Sequence, residues 1–195
     1  MTTRERLRAR RSVIFGLLMA GLLPPRSAAA QDQAAEKPAR VEAAFLRNFA
    51  RYVGWPARAF AGERSPWFVC ILGNDHFDGA LEATFRGRTE QGRPFEVVRV
   101  PRLDQLPPCQ IVFVDLPQAS ERRAALAALK KQPVLTVGQA AEFLEEGGII
   151  RLRAGERIEM SINLDQARAS ALTIPTKMLE VSREVLENGA LRRWR

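Results

Sequence analysis

The sequence predicts a single α/β domain: a mixed, mostly parallel six-stranded sheet with helices on both faces and a C-terminal hairpin plus helices. Three observations carry this. Short apolar runs alternate with segments of helical period along most of the chain. The 195 residues, 46% of them apolar, suffice to bury one sizeable core and make a second full domain unnecessary. No internal repeat, heptad run or Pro/Gly/Ser-rich linker divides the chain. With 27% charged residues, wholesale disorder is excluded.

The elements follow in order. Val41 to Trp55 reads as a helix, with Val41, Ala44, Phe45, Asn48, Phe49 and Tyr52 on one face and Pro56 as its stop. Trp67 to Leu72, closed by Gly73, reads as a buried strand. Asp75 to Phe85 reads as a short helix, Gly87 to Gly92 as a turn, and Phe95 to Val100 as a strand. After a loop, Ile111 to Val114 is the most apolar strand and is expected at the centre. Ser120 is the expected N-cap of a helix through Lys131. Pro133 to Val137 is a strand, and Gly138 opens a short helix that Gly147 ends. Ile149–Arg153 and Arg157–Ile162, joined by Ala154-Gly155-Glu156, predict a hairpin. Asp165 to Leu172 is a short helix. A final helix opens at Pro175, carries Met178, Leu179, Val185 and Leu186 as its stripe, and ends at Asn188-Gly189.

The N-terminus reads as an address. Arg-rich residues 1–11 precede the apolar run Val13–Leu23, and Ala28-Ala29-Ala30 offers small residues for a cut after Ala30. Eleven apolar residues fall short of the roughly 20 that a bilayer core needs. The expected boundaries are a signal peptide at 1–30, a loose segment at 31–39, the domain at 40–189 and a tail at 190–195. The expected compartment is a periplasm. The net charge of +8 would suggest nucleic-acid binding, but residues 1–30 hold six Arg against one Glu, so +5 sits there and +3 remains. With no aromatics interleaved among the basic residues, a nucleic-acid partner is not expected.

The two cysteines, Cys70 and Cys109, both follow the apolar run. An even count in an exported chain reads as one disulfide, the alternative being two buried thiols. One His and two Cys argue against a zinc site, and no metal or cofactor is expected. Phosphate-binding glycine motifs and a nucleophile elbow are absent from the sequence, so no catalytic residue is assigned. His76 fits a strand-to-helix corner better than a hydrolase triad. Two candidate sites remain. Strand ends carrying Asn74, Asp75, Asp115, Gly138 and Gln139 would form a ligand crevice if their strands are neighbours. Arg151, Arg153, Arg157 and Glu159 on the hairpin would form a partner-binding or anion-binding face, the alternative being an ordinary solvated face.

The stretch Val41–Pro56, Cys70-Ile71-Leu72-Gly73-Asn74-Asp75, Gly92-Arg93-Pro94-Phe95, Cys109–Phe113, Pro133–Val137, Gly147-Gly148, Arg157–Leu164 and Lys177-Met178-Leu179 together resemble the YfiR-like family of periplasmic regulatory proteins. The resemblance implies an α/β fold, frequent dimerisation and a bridge matching Cys70 and Cys109. It also implies repression of an inner-membrane diguanylate cyclase through contact with its periplasmic region, which keeps cyclic-di-GMP low. An outer-membrane lipoprotein of the OmpA-like type is an implied second partner. The second bridge of the name-giving member has no counterpart here. The alternative reading is a small-ligand sensor feeding a membrane protein such as a sensor kinase.

Overall fold

The computed structural model describes residues 28–155 and 157–193, with side chains from residue 38 onward. The expected signal peptide lies, up to residue 27, outside the described residues. A long helix, α1 (Ala28–Tyr52), comes first and runs through residues 31–39, where the sequence predicts a loose segment.

One sheet organises the rest. Its strands are β1 (Trp67–Gly73), β2 (Thr89–Glu90), β3 (Arg93–Val100), β4 (Ile111–Asp115), β5 (Leu135–Gly138), β6 (Ile150–Arg153), β7 (Glu159–Asn163), β8 (Glu184–Glu187) and β9 (Ala190–Arg193). Their order is β2-β3-β1-β4-β5-β6-β7-β8-β9. The sheet therefore has nine strands rather than six, and it is mixed rather than mostly parallel. β3, β1, β4, β5 and β6 run parallel, β7 pairs parallel with β8, and β2–β3, β6–β7 and β8–β9 are antiparallel. All six expected strands are present, and β4 has a parallel neighbour on each side.

Helices α2 (Ala80–Phe85), α3 (Ala119–Leu129), α4 (Leu164–Ala169) and α5 (Thr176–Glu180) complete the fold. Alternation along the central strands divides the interior, because successive side chains point to opposite faces. Val69, Ile71, Ile111 and Phe113 join residues of α1, α2, α4 and α5 in one cluster. Cys70, Leu72, Val112 and Val114 join Ala125, Leu126 and Leu129 of α3 in the other. Helices thus cover both faces, as expected.

Several local expectations fail for identifiable reasons. Residues 141–147 form turns rather than a regular helix, and Phe143 is buried so tightly that a Cβ on Gly138 or Gly148 would stand 2.4 or 2.2 Å from its ring. The N-cap position of α3 is Gln118, not Ser120, which lies in the first turn. The expected final helix stops at Glu180 and gives way to a hairpin. Asn188 and Gly189, both at positive φ (54° and 70°), form its two-residue turn. Asn-Gly between two short runs is the favoured type I′ pair, whose twist matches that of the strands. The segment expected as a tail contains β9.

Asp165 of α4 holds this turn, accepting from the backbone N–H of Asn188 and Gly189 at 2.9 Å each. Those two bonds hold its carboxyl below the ordinary aspartate range. Asp165→Ala is expected to speed amide exchange at Asn188, Gly189 and across β8–β9, leaving β1 and β4 protected. Unchanged exchange in the hairpin would contradict the assignment.

The face of α1 that packs inward also differs from the expected one. Ala39, Glu42, Ala43, Leu46, Phe49, Ala50 and Val53 are buried, whereas Val41 and Tyr52 are 45% and 54% exposed. Three alanines let the helix approach its neighbours closely, and the polar Glu42 enters with them.

Candidate functional site

The chain leaves β1 towards β3 on one side and later returns to β4 on the other. The carboxyl ends of β1 and β4 are thus a topological switch point, where open α/β sheets form their crevice. Gly73 ends β1 at φ +98°, and a Cβ there would stand 2.2 Å from the Asp115 carbonyl oxygen. This close approach is available only to glycine. It lets the Asn74 N–H donate to that carbonyl at 2.9 Å.

The next residues turn back across the strand ends. Asp75 accepts from the backbone N–H of Phe77 at 2.8 Å and from Arg99 Nε at 2.5 Å. Arg99 also reaches Glu82 in a two-pronged contact of 2.5 and 3.2 Å. These bonds hold the Glu82 carboxyl below its usual range and raise the Arg99 guanidinium. His76 lies between two carboxylates. Its Nε2 is 2.6 Å from Glu42 Oε2, and its Nδ1 is 3.7 Å from Asp115 Oδ2. Gln139, just beyond β5, donates to Glu42 Oε1 at 2.6 Å. Glu42 is 1% exposed, so its polar oxygens need these partners. The hydrogen bond to Glu42 raises the His76 pKa above the ordinary histidine value against the lowering effect of burial. The charges of Glu42, Asp115 and Asp75 add to the rise. The ring stacks on Phe77 at 4.3 Å between centroids.

The expected crevice residues therefore meet, but as parts of one cross-braced cluster. Asp75, Asp115 and Gln139 contribute side chains, Asn74 contributes its backbone, and Gly138 provides room for Phe143. Sequence reasoning missed Glu42, because a lone acid in an amphipathic helix looks like a solvated residue. The cluster ties α1 to the ends of β1, β4 and β5.

The hairpin residues have a different arrangement. The pairing register places Arg151, Ser161, Glu184 and Arg193 in one cross-strand row over β6 to β9. Arg151 bonds Glu184 at 2.8 Å and the Ala141 carbonyl at 2.5 Å, and Arg193 bonds the other oxygen of Glu184 at 3.0 Å. Arg153 and Arg183 share Glu159, the latter at 2.6 Å. Much of this charge is neutralised internally. Arg157 is exposed and forms no ion pair among the described residues.

Cys70 and Cys109 form a disulfide with a Cα–Cα distance of 6.2 Å and a sequence separation of 39. It joins β1 to the residue two before β4, linking neighbouring parallel strands. A family model for YfiR/HmsC-like proteins matches residues 39–183. The chain belongs to this family. No curated protein matches it. The YfiR-like family is known for periplasmic regulation of cyclic-di-GMP signalling. The matched span contains the core face of α1, the disulfide and the strand-end cluster, and it ends at Arg183, before the β8–β9 hairpin. No helix among the described residues is long and apolar enough to cross a membrane.

The family-matched region also carries a groove between α1 and α5. Phe45, Asn48, Phe49, Tyr52, Met160, Pro175, Lys177, Met178 and Val181 line a cavity of about 420 Å³. Past Phe45, Met160 and Val181 it adjoins a wider cleft bordered by Arg157, Ile158, Glu180, Arg183 and Arg193.

Proposed function

We propose that this protein is a periplasmic repressor of an inner-membrane diguanylate cyclase, acting by binding the cyclase's periplasmic region and lowering cyclic-di-GMP. The family match over residues 39–183 carries this reading. Repression by contact needs a stably folded domain with a presented surface, and it requires no catalytic group. Export by a cleaved signal peptide, a homodimeric state and sequestration by an OmpA-like outer-membrane lipoprotein belong to the same reading. The test is cellular cyclic-di-GMP in the native host with the gene deleted and then restored. Deletion is expected to raise the nucleotide, and the exported protein to return it to the starting level. No change on deletion, in cells shown to express the protein, would overturn the reading.

The convergence of His76, Asp75, Asp115 and Gln139 at the switch point favours a second reading, a small-ligand sensor feeding a membrane protein such as a sensor kinase. Its mark would be a ligand that raises the melting temperature of the wild type and not of Asp115→Ala.

A further inference from the structure

We propose that the groove between α1 and α5 receives an acid-flanked amphipathic helix of the protein's regulatory partner. The inference rests on the repressor reading for its biological setting and on the groove itself for its chemistry. Among the described residues, four large hydrophobic side chains stand exposed: Val41 45%, Tyr52 54%, Val181 75% and Leu191 44%. Tyr52 and Val181 line the groove. Val41 lies one turn before Phe45 on the same stripe of α1, since side chains four apart are stacked on a helix. This stripe has the period of a buried helix face, but only Phe49 of it is fully buried, while Val41 and Tyr52 are exposed and Phe45 is half-buried at the edge of the core. The outer edge of an apolar helix face is thereby left open, with Phe49 and Met178 as the buried floor and Pro175 and Val181 as the opposite wall.

The dimensions and charge specify the occupant. Phe45 to Tyr52 is a rise of seven residue steps, about 10 Å along the helix axis, or two turns. That length suits a helix inserting apolar anchors at i, i+4 and i+7. Around the groove, Lys177 and Arg157 line the two cavities, and Arg51 lies over the Tyr52 ring at 5.5 Å. None of these three cations has an acidic partner among the described residues. The acids bordering the cavities are Glu159, already shared by Arg153 and Arg183, and Glu180. The rim is therefore cationic, and its complement is acidic. A second copy of this chain would bring the same cationic rim to a two-fold contact, which disfavours it as occupant.

The test uses the purified mature protein and two fluorescent helical peptides of identical apolar pattern, Leu at i, i+4 and i+7, one carrying Glu and the other Lys elsewhere. Anisotropy is expected to show at least about tenfold tighter binding of the Glu peptide, weakening with salt. Val181→Asp and Lys177→Glu should each reduce that binding about tenfold or more, with melting temperatures held, because both side chains are at the surface. Leu191→Asp, away from the groove, should leave it unchanged. Equal binding of both peptides, or full binding by Val181→Asp, would overturn the proposal. So would light scattering that shows a wild-type dimer turned to monomer by Val181→Asp, since the occupant would then be a second copy. Cyclic-di-GMP in the deletion strain separates the two claims. If wild type lowers it and folded Val181→Asp does so equally, the groove fails and the repressor reading stands. If wild type does not lower it while the peptide results hold, the repressor reading fails alone.

Discussion

Cys70→Ser is expected to lower the melting temperature by about 10 °C or more. The bridge closes a loop of 39 residues, and in the chain-entropy model such a cross-link contributes about 4 kcal/mol. For a domain of this size each 1 kcal/mol corresponds to roughly 2–4 °C. The native-state consequence acts in the same direction. Cys70 is fully buried and Cys109 is 5% exposed, and both pack with Leu72, Val112 and Leu126 beneath α3. Reduction puts two thiols where one compact bridge fitted, and the serine variant adds a buried hydroxyl. The double variant Cys70→Ala, Cys109→Ala separates these effects, since it removes the cross-link without adding a polar group. It should retain most of the loss. A double variant as stable as wild type would place the loss in the serine hydroxyl instead. If the repressor reading holds, the same variants should also raise cyclic-di-GMP in cells, in proportion to the folded protein lost.

The interior of this domain was legible in the sequence wherever a single local signal decided the outcome. Trp67–Leu72 and Ile111–Val114 are short and apolar on both faces, as a strand covered on both sides requires, and both are central strands. Elsewhere two local signals compete. Leu179, Val185 and Leu186 fit a helical stripe, but Asn188-Gly189 is a hairpin turn, and the tertiary bonds from Asp165 favour the hairpin. On α1 the larger side chains marked one face and the smaller ones marked another. Close packing selected a face that joins Ala39, Ala43 and Ala50 to Leu46 and Phe49, a choice that depends on neighbours absent from any local window. The strand-end cluster was half legible. Its members on β1, β4 and β5 follow from the general position of crevices in α/β sheets. Glu42 arrives from a helix far away in sequence, and nothing near it foretells His76.

His76→Ala is expected to destabilise the protein by about 2 kcal/mol at pH 6 and by clearly less at pH 9. Removing one partner of a buried ion pair commonly costs 3–5 kcal/mol, because the other charge stays buried alone. The lower figure applies here because the His76 side chain is one-third exposed and Gln139 still donates to Glu42. The pH dependence follows from the direction of the shift. His76 has a raised pKa in the folded state, so the pair's contribution is fully present below the ordinary histidine value of about 6.5 and is lost as pH rises through the raised one. The facing groups, Glu42, Asp115 and Asp75, are all acids, and Arg99 is engaged by Asp75 and Glu82. A neutral imidazole therefore leaves Glu42 with the Gln139 amide and one weaker hydrogen bond. Glu42→Gln should reverse the pattern. It removes the buried charge, lowers the His76 pKa, and flattens the stability profile between pH 6 and pH 9. Because Glu42 fixes α1 to the strand ends, the protection of amides in the second half of α1, relative to intrinsic exchange at each pH, should fall with rising pH in the wild type and not in Glu42→Gln. Equal destabilisation by His76→Ala at both pH values would show that the ring acts through its stacking on Phe77 and not through its charge.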